Sequence, residues 1–305
     1  MAVLSGRNHA STFFLTMLLM TGVSARLDAQ SVDEDEFTIR DSSVGYIDSA
    51  VVGDQIRMRF DAGYGLNRPN RAEFFYAKAA PGIGLPMPES NIDYQDLSIY
   101  LEKQLASETS LFVELGPRFL NPALNDNTAG LADMNCGLKH ELRTSENWLL
   151  TGQLKIYIPT GDSVRGLGTN HTSLEPGLLT IYRLDESWSV SGEFRYWIPV
   201  GGTDFAGEIF RYGIGLQKTL ELAESRTISP VVELVSWTVL NGKVGFLTGG
   251  SPAVADASGD TVTNLKLGSR IGLTQDSDLY LGYGRCLTGD RWYQDVFRAE
   301  FRWSY

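Results

Sequence analysis

Proton transfer near neutral pH relies first on histidine, and this sequence has three. His9 lies in an apolar leader. His140 falls on the oily register of a strand-like stretch, close to a turn. His171 stands beside Thr172 and Ser173, which opens a Ser–His hydrolase as one reading. Such a site needs an orienting third group and oxyanion donors, and no nucleophile motif accompanies this one. Glu114, Glu141, Glu193 and Glu233 could pair for glycoside hydrolysis. Bases interleave with them, however, so ion pairs are the expected use. Cys136 and Cys286 form no CxxC and no disulfide framework. The stretch "DASGD" (256–260) lacks the spaced ligands and closing Glu of a calcium loop. "GYGLNRPN" and "GYGRCLTG" are glycine-rich, but no helix follows to hold phosphate, so they read as loop entries. The expectation is no catalytic residue, no metal and no cofactor.

What must position these side chains is a set of strands. "QIRMRFDAGYG" alternates Ile56, Met58, Phe60, Ala62 and Tyr64 with Arg57, Arg59 and Asp61, a period of two. The alternation recurs in about twelve segments, starting near residues 55, 94, 110, 130, 147, 172, 187, 206, 227, 262, 277 and 292. One line is written nearly twice, forty residues apart: "WLLTGQLKIYIPTGD" from Trp148 and "WSVSGEFRYWIPVGG" from Trp188. Forty residues suit one strand up, a loop, one strand down and a turn. Trp148 and Trp188 would start successive upward strands at an aromatic girdle, and Pro159 and Pro199 would end them. The connections also alternate. Short acidic turns such as "TSEN" and "LDES" face one side. Long loops at 65–92, 120–129, 159–171, 199–205, 240–261 and 287–291 face the other. That asymmetry predicts an all-β fold: a closed antiparallel up-and-down transmembrane barrel of about twelve strands, with both termini on the short-turn side.

The flanks agree. Arg7 and His9 precede the apolar run 13–23, and small residues follow up to Ala25 or Ala29, the pattern of a cleavable secretory signal peptide. The expected organisation is a signal peptide at 1–29, an acidic irregular lead-in at 30–54, and a barrel at 55–305. The last strand ends "FRAEFRWSY", with Phe297, Phe301, Trp303 and Tyr305 on one face. It resembles the C-terminal strand by which the barrel-assembly machinery recognises its clients. The expected location is the outer membrane, with its lipid bilayer as a partner. A net charge of −11 argues against a nucleic-acid partner.

The wet face of the strands carries Arg57, Arg59, Arg118, Lys139, Lys155, Arg183, Arg195, Arg211, Lys266, Arg270, Arg298 and Arg302, with acids among them. No soluble sandwich can bury so many charges. Twelve strands at ~4.8 Å spacing and ~40° tilt enclose a backbone diameter of roughly 24 Å. The expected pore-lining and selectivity residues are Arg57, Arg59, Glu114, Arg118, Lys155, Glu193, Arg195, Arg211, Glu233 and Arg270, acting by charge on small-molecule solutes. A packed ion-pair network that plugs the lumen is the competing reading, which would make a non-conducting structural barrel. Loop 65–92, with Phe74, Phe75 and Tyr76, is the candidate inward constriction.

The segments "GLADMNCGLKHEL", "KIYIPTGD" and "GLGTNHTSLEPGLLTIYRL" carry a family resemblance. Gly130 to Asp133, Gly137 to Lys139, Pro159 to Asp162 and Pro176 to Leu178 are similar to strand and turn markers of the outer-membrane family associated with the MetA pathway of phenol degradation. Ala132 stands where that family usually has Gly. Pro230 and Glu233 also fit one of its strands. The resemblance spans roughly residues 111–302. It implies a barrel and a transporter for small, hydrophobic or aromatic compounds; the markers are structural and fix no substrate.

Overall fold

Each alternating segment is a strand, and consecutive strands pair antiparallel until the last meets the first. In the computed structural model the spans are β1 (Gln55–Leu66), β2 (Ile92–Ala106), β3 (Thr109–Leu115 with Pro117–Pro122), β4 (Thr128–Leu131 with Met134–Ser145), β5 (Trp148–Ile158), β6 (Thr172–Arg183), β7 (Trp188–Val200), β8 (Ile209–Lys218), β9 (Thr227–Val239), β10 (Thr261–Gly272), β11 (Ser277–Cys286) and β12 (Asp295–Ser304). Fifteen hydrogen-bonded segments make twelve spans, because β3, β4 and β8 are each interrupted once, β8 continuing into the short Leu220–Glu221. β1 pairs both β2 and β12, so the sheet is closed. Closure matters in lipid, where an unpaired strand edge has no water to satisfy it.

The structure describes residues 42–66, 84–87, 89, 91–222, 226–289 and 291–305, all within the unit Thr38–Tyr305. The expected signal peptide, and Phe74, Phe75 and Tyr76, lie outside the described residues.

The burial pattern is inside-out. Glu193 and Arg195 on β7 are 0% and 1% exposed, while Phe194 between them is 56% exposed. Val232 and Leu234 are exposed on either side of the buried Glu233, and Leu267 is exposed beside the buried Lys266. In water, burying such rings and aliphatic side chains would be worth ~25 cal/mol per Å² of apolar surface. In a bilayer the hydrocarbon tails cover them instead. The register carries this through: a slip of one residue would exchange the faces.

The repeated line falls on β5 and β7, two strands running the same way with β6 between them. Trp148 and Trp188 begin them. Trp148 pairs with Tyr182, and Trp188 with Lys218, at the same short-turn end. Two local expectations are corrected. The loop 240–261 is not irregular throughout, since Lys243–Thr248 and Ser251–Asp256 pair as a hairpin beyond the barrel. The "GYG" stretches are not mere loop entries: Gly63 lies within β1 and Gly282 within β11. A Cβ on Gly63 would meet the Tyr94 ring at 2.3 Å, and one on Gly282 the Tyr280 ring at 2.5 Å. These glycines let buried tyrosines lie flat against the inner wall.

Candidate functional site

The lumen is occupied by the chain's own N-terminal stretch. Residues 42–54 contain no strand, yet most are buried. They rise from the short-turn end, bend at Gly45–Ile47 and return to enter β1. Because the segment has no strand partner, its peptide groups must find partners among side chains. They do. Arg302 donates to the Ser42 carbonyl at 3.1 Å. Arg270 donates to Ser43 and Val44 carbonyls at 3.2 and 2.9 Å, and Arg298 to that of Gly45. Arg211 donates to the Tyr46 carbonyl at 2.7 Å. The opposite polarity is met by one carboxylate: Glu233 accepts from the backbone N–H groups of Gly45 at 3.0 Å, Tyr46 at 3.0 Å and Ile47 at 2.8 Å. On the return leg, the Thr151 hydroxyl donates to the Ala50 carbonyl at 2.5 Å. Asp48 pairs with Lys155 and Arg195, both at 2.9 Å.

Glycines make the fit possible. A Cβ on Gly45 would meet the buried Tyr280 ring at 2.2 Å, and one on Gly215 would meet Val44 at 2.8 Å. At the exit, the Asp54 carboxyl is held below the usual carboxylate range, first by the Lys103 ammonium at 2.5 Å and then by the Gln104 N–H at 2.6 Å. The Tyr305 N–H donates to the Asp54 carbonyl at 3.1 Å.

All ten expected lining residues face this interior, but they divide by partner. Arg59 pairs with Glu114 at 2.5 Å, and Arg118 with Asp96 at 2.5 Å, wall to wall. Arg57 lies over the Tyr100 ring at 3.7 Å. Glu193 bonds Arg195 and also Arg211, the latter at 2.7 Å, and Arg195 reaches Glu175 at 2.9 Å. Lys155, Arg195, Arg211, Glu233 and Arg270 contact the N-terminal segment as given above. Deep in the β2–β4 wall, Lys139 donates to Glu102 at 3.0 Å, and Tyr100 and Ser110 donate to the same carboxylate. Of the chemistry-bearing residues, His171 is buried with Nδ1 2.9 Å from the Thr169 carbonyl, and Asp256 caps its own turn through Ser258 N–H at 2.7 Å.

Beyond the bend, toward the long loops, a cavity of about 130 Å³ remains. Tyr46 and Asp48 border it from the N-terminal segment. Tyr94, Tyr157, Trp237, Trp292 and Tyr293 add aromatic surface. Trp292 comes from the last long loop, is fully buried, and meets Trp237 edge-on at 4.6 Å and Trp197 face-on at 6.3 Å. Sequence reasoning missed Tyr46, Asp48 and Trp292. The composition of 30–54 gave no sign of an inward path, although the tight "GY" at 45–46 is the residue pair on which the bend depends.

The architecture has known counterparts. An outer membrane channel from Pseudomonas putida F1 is 15% identical, and the alignment covers 90% of this chain and 100% of that one with a TM-score of 0.53. The β domain of the Bordetella autotransporter BrkA is 14% identical over 83% of this chain and 100% of that one, with a TM-score of 0.51. At such identities the likeness is one of fold. The fold is that of an outer-membrane β-barrel. Residues 90–206 match the family described as "Putative MetA-pathway of phenol degradation", so the resemblance read from Gly130 to Leu178 holds over that stretch. The family match ends before Pro230 and Glu233. No curated protein matches the chain.

Proposed function

We propose that this outer-membrane barrel passes small solutes through a lumen closed at its short-turn half by its own residues 42–54. The supporting observation is that residues 42–53 meet the wall through side-chain bonds, with a backbone-to-backbone bond only at the exit, Tyr305 to Asp54, while the twelve spans close without them. A stopper outside the sheet's hydrogen-bond ladder can leave without opening the wall. The ten inward residues named from the sequence then have two tasks. Lys155, Glu193, Arg195, Arg211, Glu233 and Arg270 hold the stopper in place. Arg57, Arg59, Glu114 and Arg118 line the path beside it and set selectivity by charge. The expected cleavable leader ending at Ala25 or Ala29, and delivery to the assembly machinery through the strand ending at Tyr305, belong to the same reading.

Planar-bilayer recordings test it. The full chain is expected to conduct weakly and intermittently, and a chain lacking residues 43–53 to conduct steadily at a higher level. A deletion variant that shows the heat-modifiable migration of a folded barrel and still passes no current would reject passage. It would favour the structural-barrel reading, to which the dense ion-pair network also lends support.

A further inference from the structure

Lys266 is a buried amine with no anion in contact. It is 3% exposed and forms no ion pair or hydrogen bond among the described residues. Its cross-strand neighbour in register is Glu233, the natural partner by position. The oxygens of Glu233 are taken up instead by the three N–H groups of the N-terminal bend and by the Tyr280 hydroxyl at 3.3 Å. The Lys266 ammonium sits among rings: 3.6 Å from the centre of Tyr46, 5.3 Å from Tyr293 and 5.4 Å from Trp237. Rings attract a cation through their faces, but they leave its three N–H donors without acceptors.

These groups border the cavity beyond the bend. Two further buried donors among them have no partner, the Tyr46 hydroxyl and the Trp237 indole N–H. The acids that also border the cavity are already engaged. Asp61 is paired with Arg298, Asp96 with Arg118 and Glu114 with Arg59. Asp48 is held by Lys155 and Arg195, and Asp133 accepts from Gly161 and Thr169 N–H groups. What the cavity offers is therefore one amine out of contact with any acid and two neutral donors beside aromatic faces. Buried donors of this kind are rarely left unmet. A volume of about 130 Å³ is close to the ~150 Å³ of an engineered cavity that takes up benzene, so one ring fits.

We infer that the cavity binds a single-ring aromatic carboxylate, its anionic end on the Lys266 ammonium with the Tyr46 hydroxyl and Trp237 N–H, and its ring among Tyr293, Trp292 and Trp237. This names the solute class for the passage proposed above and takes its role from that reading. Tyr46 belongs to the stopper, so a bound carboxylate touches wall and stopper together.

The test uses the full chain in detergent, titrated with benzoate, benzyl alcohol and benzylamine, and read by calorimetry and tryptophan fluorescence. Benzoate is expected to bind saturably, benzyl alcohol about tenfold or more weaker, as for loss of a charge-assisted bond, and benzylamine not at all. Lys266→Met keeps the aliphatic stem and removes the charge; benzoate affinity should fall about tenfold or more while heat-modifiable migration is unchanged. Trp237→Phe keeps a ring and removes the N–H; a several-fold loss is expected, and it decides the matter if Lys266→Met does not fold. Absence of benzoate binding to the full chain, or undiminished binding by the folded variants, overturns the proposal. Binding is measured without a bilayer, so the two readings fail separately. A barrel that binds benzoate and never conducts sinks passage alone; one that conducts and ignores benzoate sinks this site alone.

Discussion

The two walls of the lumen spend their charges differently. On β2–β4 the ions satisfy one another: Lys139 with Glu102, and Arg118 with Asp96. On β8–β12 the arginines also pair with wall acids, Arg270 and Arg302 with Asp278 and Arg298 with Asp61, but they turn as well to a foreign backbone. Arg211, Arg270, Arg298 and Arg302 grip carbonyls of residues 42–46, and Glu233 grips three N–H groups. The first arrangement is complete within the wall and serves the barrel. The second is complete only with the stopper present. A buried pair is costly to break from one side, because the remaining charge stays behind unpaired. The same substitution type should therefore have different consequences on the two walls.

Glu233→Ala should have the largest effect. It strands three backbone donors and leaves neighbouring guanidinium groups with less counter-charge, a loss of roughly 3–5 kcal/mol in holding the stopper. Conductance should rise toward that of the chain lacking residues 43–53, and residues 42–54 should become open to protease. Lys139→Met, on the other wall, should cost the barrel about 3 kcal/mol by leaving Glu102 with neutral donors only. The heat-modifiable transition should fall in temperature with conductance unchanged. A rise in conductance from Lys139→Met would erase the distinction between the walls.

Gly45→Val comes next. Its side chain cannot share space with Tyr280, and overpacking of this kind typically costs 1–3 kcal/mol. Intermittent opening should become more frequent without loss of the barrel. The smallest effect concerns pH. Asp54 is lowered in the folded state, so its contribution is present above its unfolded value near 3.9 and is lost as pH falls through the folded value. Melting between pH 6 and pH 2 should show slightly less acid loss in Asp54→Asn than in the parent. Because Asp54 sits at the rim beside the exposed Lys103, an effect equal to that of Glu233→Ala would mean the exit matters more than the bend.

Much of the wall was legible in the sequence. Period-two alternation located the spans to within a few residues, because in lipid one face must be apolar and the other must carry the charges. The inward set Arg57, Arg59, Glu114, Arg118, Lys155, Glu193, Arg195, Arg211, Glu233 and Arg270 follows from that parity alone. The stopper did not follow. The contacts of residues 42–50 run to partners 100 to 260 positions away, such as Thr151 and Arg302, and most involve backbone atoms, which leave no side-chain pattern. Lys266 was legible as inward but not as solitary. Its neighbour in register, Glu233, is an acid, and only the path of the N-terminal bend shows that acid to be taken. The interruptions of β3 and β4 were hidden for a related reason: at Gly116 the close approach is to the Leu97 backbone, a contact no periodicity reports.

The central claim is that residues 42–54 occupy and close the lumen, and a tether measures it most directly. Val44→Cys combined with Gly215→Cys places two thiols where Val44 already packs against Gly215, in a chain whose free cysteines are replaced by Cys136→Ser and Cys286→Ser. Single-channel current is then recorded from the same barrels, oxidised and afterwards reduced. The pair is expected to join, the oxidised barrel to stay closed, and openings to return on reduction. Thiols that do not join, or an oxidised barrel that conducts as the reduced one does, would contradict it.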